Sequence, residues 1–149
     1  MERSYVVSNR YGTGSLWSMY AAWLIALIST LGALFIGEVM GQTPCLLCWY
    51  QRIAMFPLAL ILGIGCYQSD LGVKHYTLPL AAVGAVIALW HTLLYFGLTP
   101  KAIEPCNATA SCSGSDMTIF NVLPLPLLSL GAFLSIALLL FHSKSKRDI

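Results

Sequence analysis

Four apolar segments, each long enough to cross a lipid bilayer, constrain this chain more than any other feature. Each holds 20 to 23 residues, and a helix needs about 20 residues to cross roughly 30 Å of hydrocarbon. Only 9% of the residues are charged, whereas soluble domains carry roughly 25%. The sequence therefore predicts an all-α integral membrane protein, folded as one antiparallel four-helix transmembrane bundle over residues 1–149. The predicted helices are 16–36, 46–67, 76–98 and 122–141.

Composition also excludes several classes of protein. The net charge of +2 is too small to indicate a nucleic-acid partner. Segment 16–36 is longer than the apolar core of a signal peptide, roughly 7–15 residues, so a retained first helix is expected. A transporter is disfavoured because the first and fourth segments contain only a few serines and threonines among apolar residues, whereas transport sites need ionisable groups inside the spans.

The distribution of positive charge predicts the orientation. Lys101 lies in the long connection 99–121, and Arg52 lies inside the second segment. Because Lys and Arg concentrate on the cytoplasmic side, both termini are predicted to be cytoplasmic and the connection 99–121 extracytoplasmic. The remaining six of the eight Lys and Arg residues fall on the predicted cytoplasmic side: Arg3, Arg10, Lys74, Lys144, Lys146 and Arg147.

A C-x-x-C motif, Cys45 and Cys48, opens the second segment on the predicted outer side, where disulfides persist. Thr43 is expected to cap this helix, with Pro44 at its first position. The exposed N–H groups and the dipole of a helix start stabilise a thiolate, and a reactive disulfide needs such a leaving group. The motif therefore predicts redox chemistry at the membrane boundary.

Arg52 is predicted to lie on the same helical stripe, within about 60° of both cysteines at ~100° per residue. A thiolate and a fixed cation on one face suit an electron acceptor that becomes negative on reduction, such as a quinone. The alternative is an arginine that only extends its charge to the interface.

A second pair, Cys106 and Cys112, lies in the connection 99–121. One alternative is a set of structural disulfides, although rings this short contribute only ~2 kcal/mol each. Another is a four-cysteine zinc site, which the spacing permits. Two pairs on one face of the membrane favour electron relay over both alternatives.

The stretch 44–52, PCLLCWYQR, resembles the signature of the DsbB family of bacterial disulfide bond formation membrane proteins. The four-helix layout, the outer second pair and His91 near the outer end of the third segment match as well, so the resemblance covers 16–141. The C-x₅-C spacing of the second pair is similar to the short-loop, BdbC-type members of Gram-positive bacteria.

The resemblance implies a quinone-dependent protein-disulfide oxidoreductase of the bacterial cytoplasmic membrane. By this resemblance, Cys106 is the cysteine that forms a mixed disulfide with a reduced extracytoplasmic thioredoxin-fold oxidase, DsbA- or BdbD-like. Cys112 is then the cysteine that passes the electrons to Cys45.

The resemblance also implies the residues that meet the quinone, menaquinone or ubiquinone, with the short loop favouring menaquinone. It places Cys48 at the quinone ring, Arg52 in support of quinone binding and His91 nearby. For His91, a capped histidine at the interface remains the alternative. Cys66 matches no family position and is expected to be a small buried apolar residue.

Two further classes remain open. A vitamin K epoxide reductase-like enzyme also joins loop cysteines to a C-x-x-C, but there the C-x-x-C follows the loop pair, whereas here it precedes it. A passive assembly subunit stapled by disulfides would keep both pairs oxidised and bind no quinone.

Overall fold

Four long helices dominate the fold. The computed structural model describes residues 13–41, 44–98, 118–119 and 123–143. A π-helical turn, Phe35–Val39, extends the first helix, and a 3-10 turn, Leu71–Val73, leads into the third. With these turns, all four helices are long and apolar enough to cross a membrane, which confirms the predicted fold class. The helices are α1 (Thr13–Leu34), α2 (Leu46–Gln68), α3 (Lys74–Tyr95) and α4 (Leu125–His142).

The connection between α2 and α3 is a tight turn. Ser69 adopts a left-handed conformation with φ of 52°, and its N–H donates to the carbonyl of Cys66 at the end of α2. The carboxylate of Asp70 then accepts a hydrogen bond of 2.8 Å from the N–H of Gly72, which caps the 3-10 turn. So short a connection makes α2 and α3 antiparallel neighbours.

The observed helix ends differ from the predicted ones by a few residues, each for a local reason. α3 ends at Tyr95 rather than at 98, because Gly97 has a φ of +67° that no helix can continue. α4 begins at Leu125 rather than at 122, because Leu123–Pro124 forms strand β2 and pairs antiparallel with Thr118–Ile119, strand β1.

The core lies between the helices, with α1 and α3 each packed against both α2 and α4. The ring of Phe133 on α4 fills the space that a side chain at Gly84 on α3 would occupy. Large apolar side chains on the outer faces, among them Trp17, Ile53 and Val86, are exposed. An apolar surface of this extent suits lipid rather than water.

A second, smaller cluster of buried side chains lies where α2 begins and α3 ends. It contains Cys45, Leu47 and Leu94, with Cys48 and Ile87 packed against it. The π-helical turn that extends α1 reaches the same region, because a Cβ at Gly37 would lie 3.0 Å from Nη2 of Arg52 on α2. This end of the bundle therefore gathers the conspicuous motif residues that the structure describes.

Candidate active site

The C-x-x-C motif forms the first turn of α2. The sulfur atoms of Cys45 and Cys48 lie 2.8 Å apart, and both residues are free thiols. Cys45 is buried, whereas Cys48 is half-buried. A disulfide bond measures about 2.05 Å, so closing one requires less than about 1 Å of movement. The pair is therefore placed to cycle between dithiol and disulfide.

α2 begins at Leu46, as the predicted range 46–67 has it, but its N-terminal cap differs from the expected one. The helix begins at Leu46 and its N-cap is Cys45, so the expectation that Pro44 is the first helical residue is wrong. The extended backbone of Cys45, with ψ of 166°, keeps it outside the helix, and its sulfur accepts a hydrogen bond of 3.3 Å from the N–H of Cys48. A sulfur thus takes the capping role expected of the Thr43 hydroxyl, and Thr43 itself lies outside the described residues.

The surroundings of the Cys45 sulfur favour its thiolate. The pKa of Cys45 is lowered to about 4. The hydrogen bond from the Cys48 thiol is the largest cause, and His91 and the N–H of Cys48 also lower the pKa. Burial of the sulfur acts in the opposite direction and raises it. The helix start adds the positive end of the dipole. In the reduced pair, Cys45 therefore carries the negative charge at neutral pH.

His91 reaches this pair from the last turns of α3. Its side chain is 0% exposed, and its Nε2 lies 3.7 Å from the sulfur of Cys45. The ring is enclosed between helices. Its other nitrogen, Nδ1, lies 3.0 Å from the side-chain nitrogen of Gln51.

Gln51 is a site residue that the sequence interpretation missed. It is buried on α2, and it connects α2 to His91 on α3. The available signal was a neutral amide inside an otherwise apolar span, since such a group needs a hydrogen-bonding partner in the bundle.

Arg52 turns toward α1. Its Nη2 donates a hydrogen bond of 2.7 Å to the carbonyl of Ala33, and its guanidinium lies 5.8 Å from the ring centre of Trp49. Ala33 lies next to the end of α1, just before the π-helical turn, and the second lone pair of its carbonyl oxygen can accept from a donor outside the helix. Gly37 leaves room for the guanidinium, since a Cβ there would lie 3.0 Å from Nη2.

The charge of Arg52 is held in place but not neutralised by the described part of the chain. None of the carboxylates in residues 13–41, 44–98 or 124–143 forms an ion pair with the guanidinium. Because its side chain is half-buried and tied to α1, Arg52 does not simply extend into solvent. A fixed cation one helical turn beyond Cys48 can stabilise negative charge that develops nearby.

The predicted site residues divide into two groups. The structure brings Cys45, Cys48 and His91 together and places Arg52 at the adjoining contact with α1. Cys106 and Cys112 lie outside the described residues. Cys66, expected to be a buried apolar residue, is buried at the opposite end of α2.

The same cluster contains residue types that bind metal ions. Cys45, Cys48 and His91 present three ligand atoms within 4.8 Å of one another, a donor set of the kind that binds zinc. However, two thiolates at 2.3 Å from a tetrahedral zinc ion are separated by about 3.8 Å, whereas these sulfurs are 2.8 Å apart. The spacing suits a disulfide better than a shared metal ion.

Comparison with known proteins also indicates disulfide chemistry. The family described as "Disulfide bond formation protein DsbB" matches residues 15–143. A "Probable disulfide formation protein" of Metapseudomonas resinovorans is 59% identical over 134 residues, covering 89% of this chain and 93% of the relative. "Disulfide bond formation protein C" of Bacillus subtilis is 42% identical over 130 residues, covering 87% and 94%.

A "Probable disulfide formation protein" of Chlamydia trachomatis is 40% identical over 129 residues, covering 86% of this chain and 93% of the relative. No solved structure gives a significant match. The family match spans nearly all of the four-helix bundle, and the C-x-x-C pair within it has the geometry of a dithiol that can close. The chain therefore belongs to the DsbB family of disulfide bond formation proteins and is a membrane thiol-disulfide oxidoreductase.

Proposed function

We propose that this protein reoxidises a reduced thioredoxin-fold oxidase, DsbA- or BdbD-like, outside the cytoplasmic membrane and passes the electrons to a membrane quinone. The observation that carries the proposal is the contact between the Cys45 and Cys48 sulfurs, 2.8 Å apart at the start of a membrane-spanning helix. A dithiol at that depth can exchange electrons with a loop on one side and a lipid-soluble acceptor on the other.

The orientation follows from the positive charges. With both termini cytoplasmic, the start of α2 and the loop 99–121 lie on the outer side, where thiol–disulfide exchange with exported proteins takes place. Cys45, Cys48, Cys106 and Cys112 then all face the oxidising compartment. The loop pair is needed because a soluble partner cannot reach a quinone within the bilayer.

Exchange begins with the loop pair. A thiolate of the partner attacks the sulfur of Cys106 and displaces Cys112, and the second thiol of the partner then displaces Cys106, so that the partner becomes a disulfide. The loop now holds two thiols and the two electrons taken from the partner.

The electrons then move to the membrane pair. The thiolate of Cys112 attacks the sulfur of Cys45 and displaces Cys48, after which Cys106 displaces Cys45 and restores the loop disulfide. Cys45 and Cys48 are left reduced. Their two electrons and two protons convert one quinone to quinol and return the pair to the disulfide.

The proposed quinone site is the region where α1 and α2 meet, for two reasons. Cys48 is half-buried and more accessible than Cys45, and Arg52 on the next turn is tied to the carbonyl of Ala33. A quinone oxygen gains negative charge as it is reduced, and a preorganised cation stabilises that charge. The substrate is menaquinone or ubiquinone, and the short-loop resemblance favours menaquinone.

The test is quinone reduction by the purified protein in lipid nanodiscs, supplied with a reduced thioredoxin-fold dithiol oxidase. We expect turnover in the wild type, none with Cys48→Ser or Cys106→Ser, and near-normal turnover with Cys66→Ala as the matched control. If only Cys48→Ser stopped turnover, the loop pair would be a docking or structural element. No turnover with either quinone would favour the passive, disulfide-stapled subunit.

A further inference from the structure

We propose that Gln51 is a positioning residue, whose side-chain amide holds His91 in the tautomer protonated at Nε2 and directs that N–H toward the sulfur of Cys45. This inference deepens the proposed function and rests on it for its consequence in turnover. Its geometry stands on the contacts among Gln51, His91 and Cys45 alone.

The first step is the contact between Gln51 and His91. Gln51 is only 8% exposed and His91 is 0% exposed, and the side-chain nitrogen of Gln51 lies 3.0 Å from Nδ1 of His91. An amide NH₂ group can only donate, so Nδ1 must accept. A neutral imidazole that accepts at Nδ1 carries its proton on Nε2.

The second step is the direction of that proton. Nε2 of His91 lies 3.7 Å from the sulfur of Cys45, and Cys45 is buried beside Leu47 and Leu94. A hydrogen bond to a thiolate in such an apolar, water-poor setting is stronger than the same bond in water. In the described chain Gln51 forms no hydrogen bond with either sulfur, so its proposed action on Cys45 runs through His91.

The other charged or titratable groups near Cys45 do not replace this contact. On α2, Cys48 donates to Cys45 and Arg52 turns away to Ala33. Glu38, in the π-helical turn that extends α1, is exposed and does not act on Cys45. On α3, His91 contacts the sulfur of Cys45, whereas Tyr95, one turn further on, forms no hydrogen bond with that sulfur in the described chain. Loss of the Gln51 contact is therefore expected to act on Cys45 through the imidazole.

The tautomer of His91 influences which of the two sulfurs, Cys45 or Cys48, carries the negative charge of the reduced pair. A donor at Nε2 favours the thiolate on Cys45, the sulfur that must leave when Cys106 restores the loop disulfide. The opposite tautomer would turn a lone pair toward Cys45 and favour its thiol. Gln51 thus selects the form of His91 that assists release of Cys45.

The direct test is nitrogen NMR of the reduced full-length protein in nanodiscs, with isotope-labelled histidine. The signals of exposed His75 and His142 are identified by their absence in substituted variants. We expect His91 to be neutral and protonated at Nε2 in the wild type, and to become a mixture of tautomers in Gln51→Met. Gln68→Met, an exposed position on the last turn of α2, is the matched control and should leave the signals unchanged.

A wild-type His91 protonated at Nδ1, or the same tautomer in the wild type and Gln51→Met, would overturn the proposal. The wild-type measurement needs no variant, so poor folding of Gln51→Met would not leave the proposal untested. Neither result depends on quinone or a partner. Failure of the proposed function would instead appear as absent quinone reduction with the expected tautomer in place.

A second readout tests whether Gln51 acts through His91. The ultraviolet absorbance of the thiolate is titrated with pH in the reduced protein, and the low-pH transition that disappears in the Cys45→Ser variant is assigned to Cys45. Gln51→Met should raise the midpoint by about one pH unit, the size expected for loss of a hydrogen bond to a charged group. In a His91→Phe background, Gln51→Met should cause no further change. An equal further rise there would show that Gln51 acts by another route.

Discussion

Arg52 on α2 donates a hydrogen bond of 2.7 Å to the backbone carbonyl of Ala33 on α1. This contact holds a half-buried cation at the junction of two membrane-spanning helices, one turn beyond Cys48. Because the acceptor is a neutral carbonyl, the contact positions the charge without neutralising it. The position of Arg52 is therefore a property of two helices together, and it leads to the first two predictions.

Removing the charge should weaken quinone reduction. Arg52→Met retains much of the apolar stem but loses the guanidinium, and we expect the KM for quinone to rise by about tenfold, the equivalent of ~1.4 kcal/mol. Arg52→Lys should fall between, because Lys keeps the charge but not the planar donor geometry. Steady-state quinone titration in nanodiscs measures both, with Lys74→Met at the opposite end of the bundle as control. An unchanged KM in Arg52→Met would remove Arg52 from the quinone site.

Displacing the guanidinium without changing its charge should have a smaller effect of the same kind. A Cβ at Gly37 would lie 3.0 Å from Nη2 and 3.1 Å from Nη1 of Arg52, so Gly37→Ala forces the side chain to move. We expect a several-fold higher KM for quinone with little loss of thermal stability. Gly32→Ala on the same helix has open space around the new methyl group and is the matched control. Equal KM values for the two variants would contradict the prediction.

The contact between α3 and α4 should tolerate no side chain at Gly84. The ring of Phe133 occupies the position of the missing Cβ, so Gly84→Ala overpacks the core and should destabilise the protein by about 1–3 kcal/mol. Thermal unfolding in detergent measures this loss, and Phe133→Leu should recover part of it. Gly131→Ala on α4 meets nothing within 4 Å and should unfold like the wild type.

The ionisation of Cys45 should depend most on Cys48. The pKa of Cys45 is lowered to about 4, first by the Cys48 thiol and then by His91. The thiolate is therefore present at neutral pH and is lost as the pH falls through that value. Cys48→Ala removes the main donor, so the midpoint of thiolate absorbance should rise by more than it does in His91→Phe. Cys66→Ala, far along α2, is the control and should leave the Cys45 transition in place.

The lowered pKa of Cys45 also makes the stability of the reduced protein depend on pH. The thiolate contributes stability to the reduced protein that is fully present above the unfolded pKa of roughly 8.5 and is lost as the pH falls toward about 4. A reduced protein whose stability were flat across this range would contradict a low pKa for Cys45.

Local signals in the sequence account for the parts of this protein that were predicted well. The length of the apolar segments depends only on residue type, and it predicts four membrane-spanning helices that the structure contains. The C-x-x-C spacing puts two sulfurs within one turn of a helix start, and they lie 2.8 Å apart. The ends of the helices were predicted less accurately, because a single conformation such as that of Gly97 decides them.

Contacts between helices required the tertiary structure. Helical periodicity places Arg52 on a face of α2, but only the packing of α1 supplies the carbonyl of Ala33. The pairing of Gln51 with His91 joins residues 40 positions apart, and no local pattern links them. Hydrophobicity and residue spacing along one helix are enough to predict the membrane fold and the redox motif, because neither depends on a neighbouring helix. Only the packing of neighbouring helices decided which sulfur meets the histidine and where the cation is held.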